Sequence, residues 1–236
     1  VDAPLPWAAR QAAADGVAVG TQAWGLLSPA HWQLGAKAVH LADPAALALD
    51  EAASRVFWGV LRPWFEEEGF TVAWGAPLRW YAAHPSLATL HTASVDRVIG
   101  RNVDQWLLSQ TEARLIRRLQ NEAQMLLHEH PLNVEREAMG LPVVNSFWLS
   151  GCGVAQPEAA HDLHIDDRLR GPALAQDAVA WQAALEQIDA RIGQGGFSRL
   201  TLCGERSALT FAPKDRPFWH RWTAPKPGLQ AFLNEL

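Results

Sequence analysis

The feature that most constrains this chain is a long amphipathic segment that ends at a proline and is followed by an apolar run. From Asp104 to Glu129, apolar side chains recur at spacings of three, four and seven residues, which predicts one helix with a single buried face. Pro131 ends that helix, and a turn over 131–140 leads to Val143–Leu149, an apolar run that predicts a buried strand. A helix and a buried strand in succession require a layered fold.

Shorter patterns extend this fold along the chain. Helices that alternate with strands predict an α/β or α+β class, with a mixed sheet flanked by helices. The further predicted elements are a helix over 45–68 with a break or kink at Pro63, a hairpin of strands 70–74 and 78–82, a helix over 173–192 and a strand over 200–203.

Composition excludes several classes of protein. The chain has 236 residues, 49% of them hydrophobic, which is typical of a globular protein with a sizeable core. Its net charge of −5 argues against nucleic acid or an anionic membrane as partner. The sequence has no apolar run of the roughly 20 residues that span a bilayer, and its opening residues lead us to expect no signal peptide. With only two cysteines, a cytoplasmic location is expected.

Four segments carry a resemblance to a known family. Residues 119–136, which end in His-Pro-Leu-Asn-Val-Glu-Arg, resemble the helix of archaeal-type cofactor-independent phosphoglycerate mutases that ends in "hPvNxxR". Residues 144–153 resemble the strand that follows it, "ANxIWLWGxG". Residues 92–107 and 75–81 resemble two earlier segments of that family, in the same order. With TLCGERS at 201–207, the chain looks most like the RpfE-type regulatory proteins of proteobacteria.

This resemblance implies a domain organisation. The expected fold is a reduced alkaline-phosphatase-like core that is interrupted by a mutase-type insert. Residues 1–50 would form the first part of the core, 51–153 the insert-like region and 154–236 the second part of the core. Because the chain lacks an initiator Met, residues upstream of Val1 are expected to be missing.

Departures from the family pattern bear on activity. The family has histidines where this chain has Trp80 and Val95. The resemblance also implies a serine nucleophile and two metal ions, but residues 154–236 lack the Asp-His-Gly and Asp-x-x-x-His pairs that would supply ligands. We therefore expect a catalytically degenerate protein with a regulatory or small-anion-binding role, without mutase turnover. The alternatives are an active metal-dependent phosphoglycerate mutase or phosphotransferase, and a protein-interaction scaffold that uses exposed tryptophans.

A set of polar residues in the insert-like region forms the expected ligand site. In the family this region covers the active site and helps to hold a phosphorylated substrate, and an arginine fork suits phosphate. The resemblance places Arg79 on the family's arginine. The alternative for the charged members is pairing with neighbouring charges on a wet surface. The expected ligand-binding residues are Arg79, Asp96, Arg101, Asn133 and Arg136.

The densest group of metal-ligand residue types lies later in the chain. His161, His164 and Asp166 are donors that a divalent metal prefers, although neither a strand nor a helix brings all the donors of this stretch together. No cofactor is expected, and a divalent Mn, Mg or Zn ion is the alternative. The expected partner is a small phosphorylated or carboxylated metabolite, with a protein partner or a homo-oligomer as the alternative.

Overall fold

The structure is a computed structural model that describes residues 4–35, 38–107, 111–157, 164–204 and 208–212. It divides into two compact units, with the boundary between His161 and Asp162. The helices and strands of the first unit are, in chain order, α1 (Trp7–Ala14), β1 (Ala23–Ala30), β2 (Trp32–Leu34), β3 (Val39–Leu41), α2 (Glu51–Glu67), β4 (Thr71–Ala76), β5 (Arg79–Ala83), α3 (Val95–Val98), α4 (Arg114–His128), α5 (Pro131–Ala138) and β6 (Ser146–Val154).

Four strands of the first unit form one sheet in the order β4-β5-β1-β6. The central strand β1 is buried at all but one of its eight residues, because both faces of the sheet are covered. The expected helix-flanked sheet of an α/β or α+β fold is confirmed. Every pair of neighbouring strands is antiparallel, so the expectation of a mixed sheet is corrected. The short β4–β5 connection fits this arrangement, because parallel neighbours need a long crossover.

Apolar side chains on the two faces of the sheet form separate clusters. On one face, Leu27, Trp80 and Phe147 pack in the largest cluster, which also contains buried residues of α2 and α4. On the other face, α1 covers Trp24 and Tyr81 at one end. Residues between Ala93 and Val103 cover Trp148 at the other end. The sheet is therefore a layer between helices and loops.

Two of the sequence predictions are confirmed. The hairpin forms as β4 and β5, with Trp74 paired to Trp80 and a register shift just before Ala76. The predicted buried strand is also present, and Phe147 and Trp148 are 0% and 3% exposed. Its bounds differ from the predicted Val143–Leu149, since β6 begins at Ser146 and ends at Val154.

The prediction of one long helix over 104–129 is wrong for its first part. α4 begins only at Arg114, and short 3₁₀ turns occupy 103–105 and 111–113. Val103 is buried against the sheet, and the Asn102 side chain accepts the Asp104 N–H, so a 3₁₀ turn replaces the helix there. The predicted turn over 131–140 is also wrong. Pro131 occupies the first position of α5, where its missing N–H costs no hydrogen bond.

The other helix predictions need smaller corrections. Residues 44–47 form a separate 3₁₀ turn, and α2 begins at Glu51 with the Asp50 side chain accepting the Ala53 N–H. Pro63 lies inside α2 without ending it. The second unit contains α6 (Arg170–Leu174), α7 (Ala178–Gly193), β7 (Leu200–Cys203) and β8 (Ala208–Phe211). Gln176, with φ of 54°, separates the two helices where one was predicted over 173–192.

The predicted strand over 200–203 is confirmed as β7, which pairs with β8 in a two-stranded sheet. In the part of the chain that the structure describes, no helix is long and apolar enough to cross a membrane. The organisation into a core that is split around an insert stays a prediction.

Candidate functional site

Arg79 lies at the start of β5 and is held by a carboxylate from α1. Its Nε–H donates to Asp15 Oδ2 and an Nη2–H donates to Asp15 Oδ1, both at 2.8 Å. Asp15 is the residue that caps the C-terminal end of α1, and Tyr81 lies two residues after Arg79 on the same face of the strand. The Tyr81 hydroxyl donates to Asp15 Oδ2 at 2.6 Å. These three residues form one polar cluster.

Two members of the cluster are charged and the third is neutral. Its hydrogen bonds from Arg79 hold the pKa of Asp15 below the usual value. Burial, together with the hydrogen bond to Asp15, raises the pKa of Tyr81, so its hydroxyl stays protonated and keeps donating. The pKa of Arg79 is raised by its hydrogen bond to Asp15. Arg79 and Asp15 therefore form a charged pair, and the neutral phenol of Tyr81 donates a hydrogen bond to it.

Gly75 makes room for this cluster. A Cβ at this position would lie 2.5 Å from Asp15 Oδ2 and 2.5 Å from Tyr81 Cε2. Such a contact is far inside van der Waals distance, so any side chain here would displace the carboxylate or the ring. Gly75 lies where the register of β4 against β5 shifts. The Gly-Ala-Pro segment of the hairpin thus provides the space into which Asp15 fits.

Asp15 and Arg79 differ in exposure. The Asp15 side chain is 11% exposed, whereas the Arg79 side chain is 41% exposed. A guanidinium carries five N–H groups, and two of them bind Asp15, which leaves three. The chemistry available here is the binding of an acceptor by a positioned arginine.

Asn133 and Arg136, both on α5, have internal partners instead. The Asn133 amide donates to the carbonyls of Leu127 and Val144 and accepts the Val144 N–H. Arg136 donates through Nε to the Pro142 carbonyl at 2.9 Å and through Nη2 to the Leu47 carbonyl. Both residues are buried. They tie α5 to the segments that precede β6 and α2.

The remaining predicted ligand residues lie near α3. Asp96 lies in α3 and Arg101 follows that helix. Both residues are exposed, and each makes at least one interaction with another group. In the described part of the chain, the hydrogen bonds of the Arg79 cluster and those of Arg136 share no partner. The five expected ligand residues therefore include one positioned arginine at the surface and two buried structural residues.

The predicted metal residues lie in or next to the second unit. His161 lies outside the described residues. His164 is exposed, and Asp166 accepts hydrogen bonds from Arg168 Nε at 2.9 and 3.1 Å. The pairing with Arg168 lowers the pKa of Asp166 to about 2. Among the residues that the structure describes, no three His, Cys, Asp or Glu side chains converge as a metal site would require.

The two positions at which the family has histidine hold packed apolar residues. Trp80 is fully buried and donates its indole N–H to Ser54 Oγ at 3.0 Å. Val95 is half-buried and packs against the cluster around Trp148. Ser54 also accepts the Trp74 indole N–H and donates to the Pro77 carbonyl. Trp80 is therefore part of the packing of the hairpin on α2.

Comparisons with known proteins give a distant likeness among solved structures. No family model matches the chain, and a comparison with curated proteins finds no relative. Among solved structures, the chain is similar to a cofactor-independent phosphoglycerate mutase from Thermoplasma acidophilum DSM 1728, with a TM-score of 0.47 and 17% sequence identity. The match covers 61% of this chain and 40% of that enzyme, so the chain spans less than half of its length.

Proposed function

We propose that this chain is a non-catalytic, phosphoglycerate-mutase-like regulatory protein that binds a small phosphorylated or carboxylated metabolite at Arg79. One observation carries the proposal. Asp15 fixes one edge of the Arg79 guanidinium, while the side chain remains 41% exposed. An arginine that is oriented by a second residue loses less entropy when it binds an anion, because its fork is already in place.

The chemistry of the fork supports an oxyanion as ligand. The three N–H groups of Arg79 that do not bind Asp15 are suited to the oxygens of phosphate or carboxylate. Because Asp15 neutralises part of the charge, the expected affinity is modest and depends on salt. The proposal needs no cofactor.

Packing at the histidine positions of the related family supports a role without turnover. Trp80 is buried and bonded to Ser54, and Val95 packs in an apolar cluster. Neither side chain has a group that transfers a proton at neutral pH or binds a metal. We therefore expect that 3-phosphoglycerate with Mn²⁺ or Mg²⁺ gives no 2-phosphoglycerate above a control without protein. Turnover that a chelator abolishes would contradict the absence of catalysis.

Ligand binding is tested by thermal unfolding of the full chain with phosphate, sulfate and 3-phosphoglycerate at constant ionic strength. We expect a saturable increase in Tm for the wild type. Arg79→Lys keeps a charge near Asp15 but removes the fork, and it should lose most of that increase. Arg62→Lys is the matched control, because Arg62 pairs with Glu66 on the exposed face of α2. A wild type that responds to none of the three anions would overturn the proposal.

A further inference from the structure

A groove of about 360 Å³ lies in the first unit, away from the Arg79 cluster. The β2–β3 hairpin, α4, α5 and the segment before β6 contribute its lining. Trp32, Val39 and Val143 supply partly exposed apolar surface, and His128 and Glu137 are exposed polar residues of its wall. This volume is within the range of about 300–1,000 Å³ that is common for small-molecule sites.

Side-chain hydrogen bonds fix the walls of this groove. Asn145 Oδ1 accepts the Trp32 N–H at 2.8 Å, and its Nδ2 donates to the Trp32 carbonyl at 2.9 Å. His31 Nδ1 hydrogen bonds with the Val143 carbonyl at 2.8 Å. Both contacts join segments more than 110 residues apart in sequence. The groove is therefore preformed, which reduces the entropy that a ligand must overcome.

The charge of the lining selects the class of ligand. Glu137 is the one acidic residue among the described residues that line the groove, and none of those residues is Lys or Arg. The amides of Asn133 and Asn145 are engaged with backbone groups. An anion would find no Lys or Arg in this lining and only His128 as a basic side chain, whereas a cation would find the Glu137 carboxylate and the ring of Trp32. Indole is the aromatic ring that attracts cations most strongly.

We infer that this groove binds a small organic ammonium ion with an apolar body. The ammonium would lie by Glu137 and Trp32, and the body would cover Val39 and Val143. This site is separate from Arg79 and takes the opposite charge, so the inference does not depend on the proposed function.

The test compares three probes that have the same ring and similar length. Phenethylamine carries a positive charge, phenylacetate a negative charge and 2-phenylethanol none. Each is titrated into the full chain and followed by calorimetry and by the indole N–H resonances. We expect saturable binding of phenethylamine, weaker binding of the alcohol and none of phenylacetate.

Two variants test the residues. Glu137→Gln should weaken phenethylamine binding about three- to five-fold, the size expected for a partly exposed charge pair. Glu135→Gln is the matched control, because Glu135 is an exposed glutamate of the same helix that does not line the groove. Trp32→Leu keeps an apolar wall but removes the ring. It should weaken the binding of phenethylamine more than the binding of 2-phenylethanol.

Three results would overturn the inference. The first is phenethylamine binding that never saturates, and the second is equal weakening by Glu137→Gln and Glu135→Gln. The third is a dimer in sedimentation that Glu137→Gln dissociates, because the groove would then be covered by a second copy of the chain.

Discussion

Arg79 and Arg136 were both expected to bind a ligand, and the structure uses them in different ways. Arg136 is buried, and its bonds go to the carbonyls of Pro142 and Leu47. Arg79 binds the carboxylate of Asp15 and keeps a side chain that is 41% exposed. The pKa of Arg136 is lowered, mainly by burial, whereas that of Arg79 is raised by its hydrogen bond to Asp15.

This comparison shows how a structural arginine differs from one that is available to a ligand. A guanidinium bonded to backbone carbonyls supplies the donor that water would otherwise provide. A guanidinium held on one edge by a carboxylate is oriented, and its other edge remains for a further acceptor. Arg136 should therefore control stability, and Arg79 should control binding.

The largest effect is expected from Arg136→Ala. The change leaves the carbonyls of Leu47 and Pro142 without this donor and removes a buried side chain. We expect the free energy of unfolding to fall by about 3 kcal/mol, measured by urea denaturation. The exposed Arg62→Ala is the control and should cost about 0.5 kcal/mol or less. A fall below about 1 kcal/mol for Arg136→Ala would show that the two arginines do not differ as described.

Gly75→Ala should have the next largest effect. The new Cβ would lie 2.5 Å from both Asp15 Oδ2 and Tyr81 Cε2, so the cluster must shift. We expect a loss of about 2 kcal/mol, because overpacking a fixed site typically costs 1–3 kcal/mol. The same substitution at Gly59, where a Cβ meets no atom within 4 Å, should stabilise α2 by about 0.5–1 kcal/mol. Changes of the same sign in the free energy of unfolding of Gly75→Ala and Gly59→Ala would contradict the role of Gly75.

Tyr81→Phe should have a smaller effect. It removes the hydroxyl that donates to Asp15 but leaves both hydrogen bonds from Arg79. We expect a loss of about 1 kcal/mol in chemical denaturation, the usual net value of one hydrogen bond. The increase in Tm with anions should persist, since the exposed edge of Arg79 is unchanged. Loss of that increase in Tyr81→Phe would mean that the hydrogen bonds between Arg79 and Asp15 do not by themselves hold the guanidinium in its binding position.

The smallest effect concerns acid stability. The pKa of Asp15 in the folded protein lies below its ordinary value of 3.8. The stabilisation is therefore complete above that value and is lost as pH falls through the folded pKa. As pH falls from 3.8 towards the folded pKa, the wild type should lose more stability than Asp15→Asn. Parallel curves for the two proteins would show that the pair with Arg79 does not stabilise the ionised carboxylate.

Local patterns in the sequence were enough for some elements. The hairpin of β4 and β5 follows from alternation, and the buried Phe147 and Trp148 follow from an apolar run. The sequence prediction lacks α5, because a proline after a helical pattern usually indicates the end of a helix. The sequence has the signal, since His130 accepts the Leu132 N–H as a cap before a proline at the first helical position.

The candidate site depends on a contact that no local pattern contains. Asp15 and Arg79 are 64 residues apart, and α1 was not predicted within its Ala-rich segment. A resemblance between segments can select Arg79, but the partner of its guanidinium depends on where α1 packs against the sheet. For the same reason, the sequence does not show that Arg79 is exposed while Arg136 is buried.

The most direct test of this account is an NMR titration of the arginine side chains with 3-phosphoglycerate. Arginine-labelled protein, assigned by Arg79→Lys and Arg136→Lys, reports each guanidinium by its Nε–H resonance. The account predicts that the Arg79 resonance shifts saturably with the ligand while the Arg136 resonance stays fixed. A fixed Arg79 resonance, or equal shifts at both arginines, would contradict it.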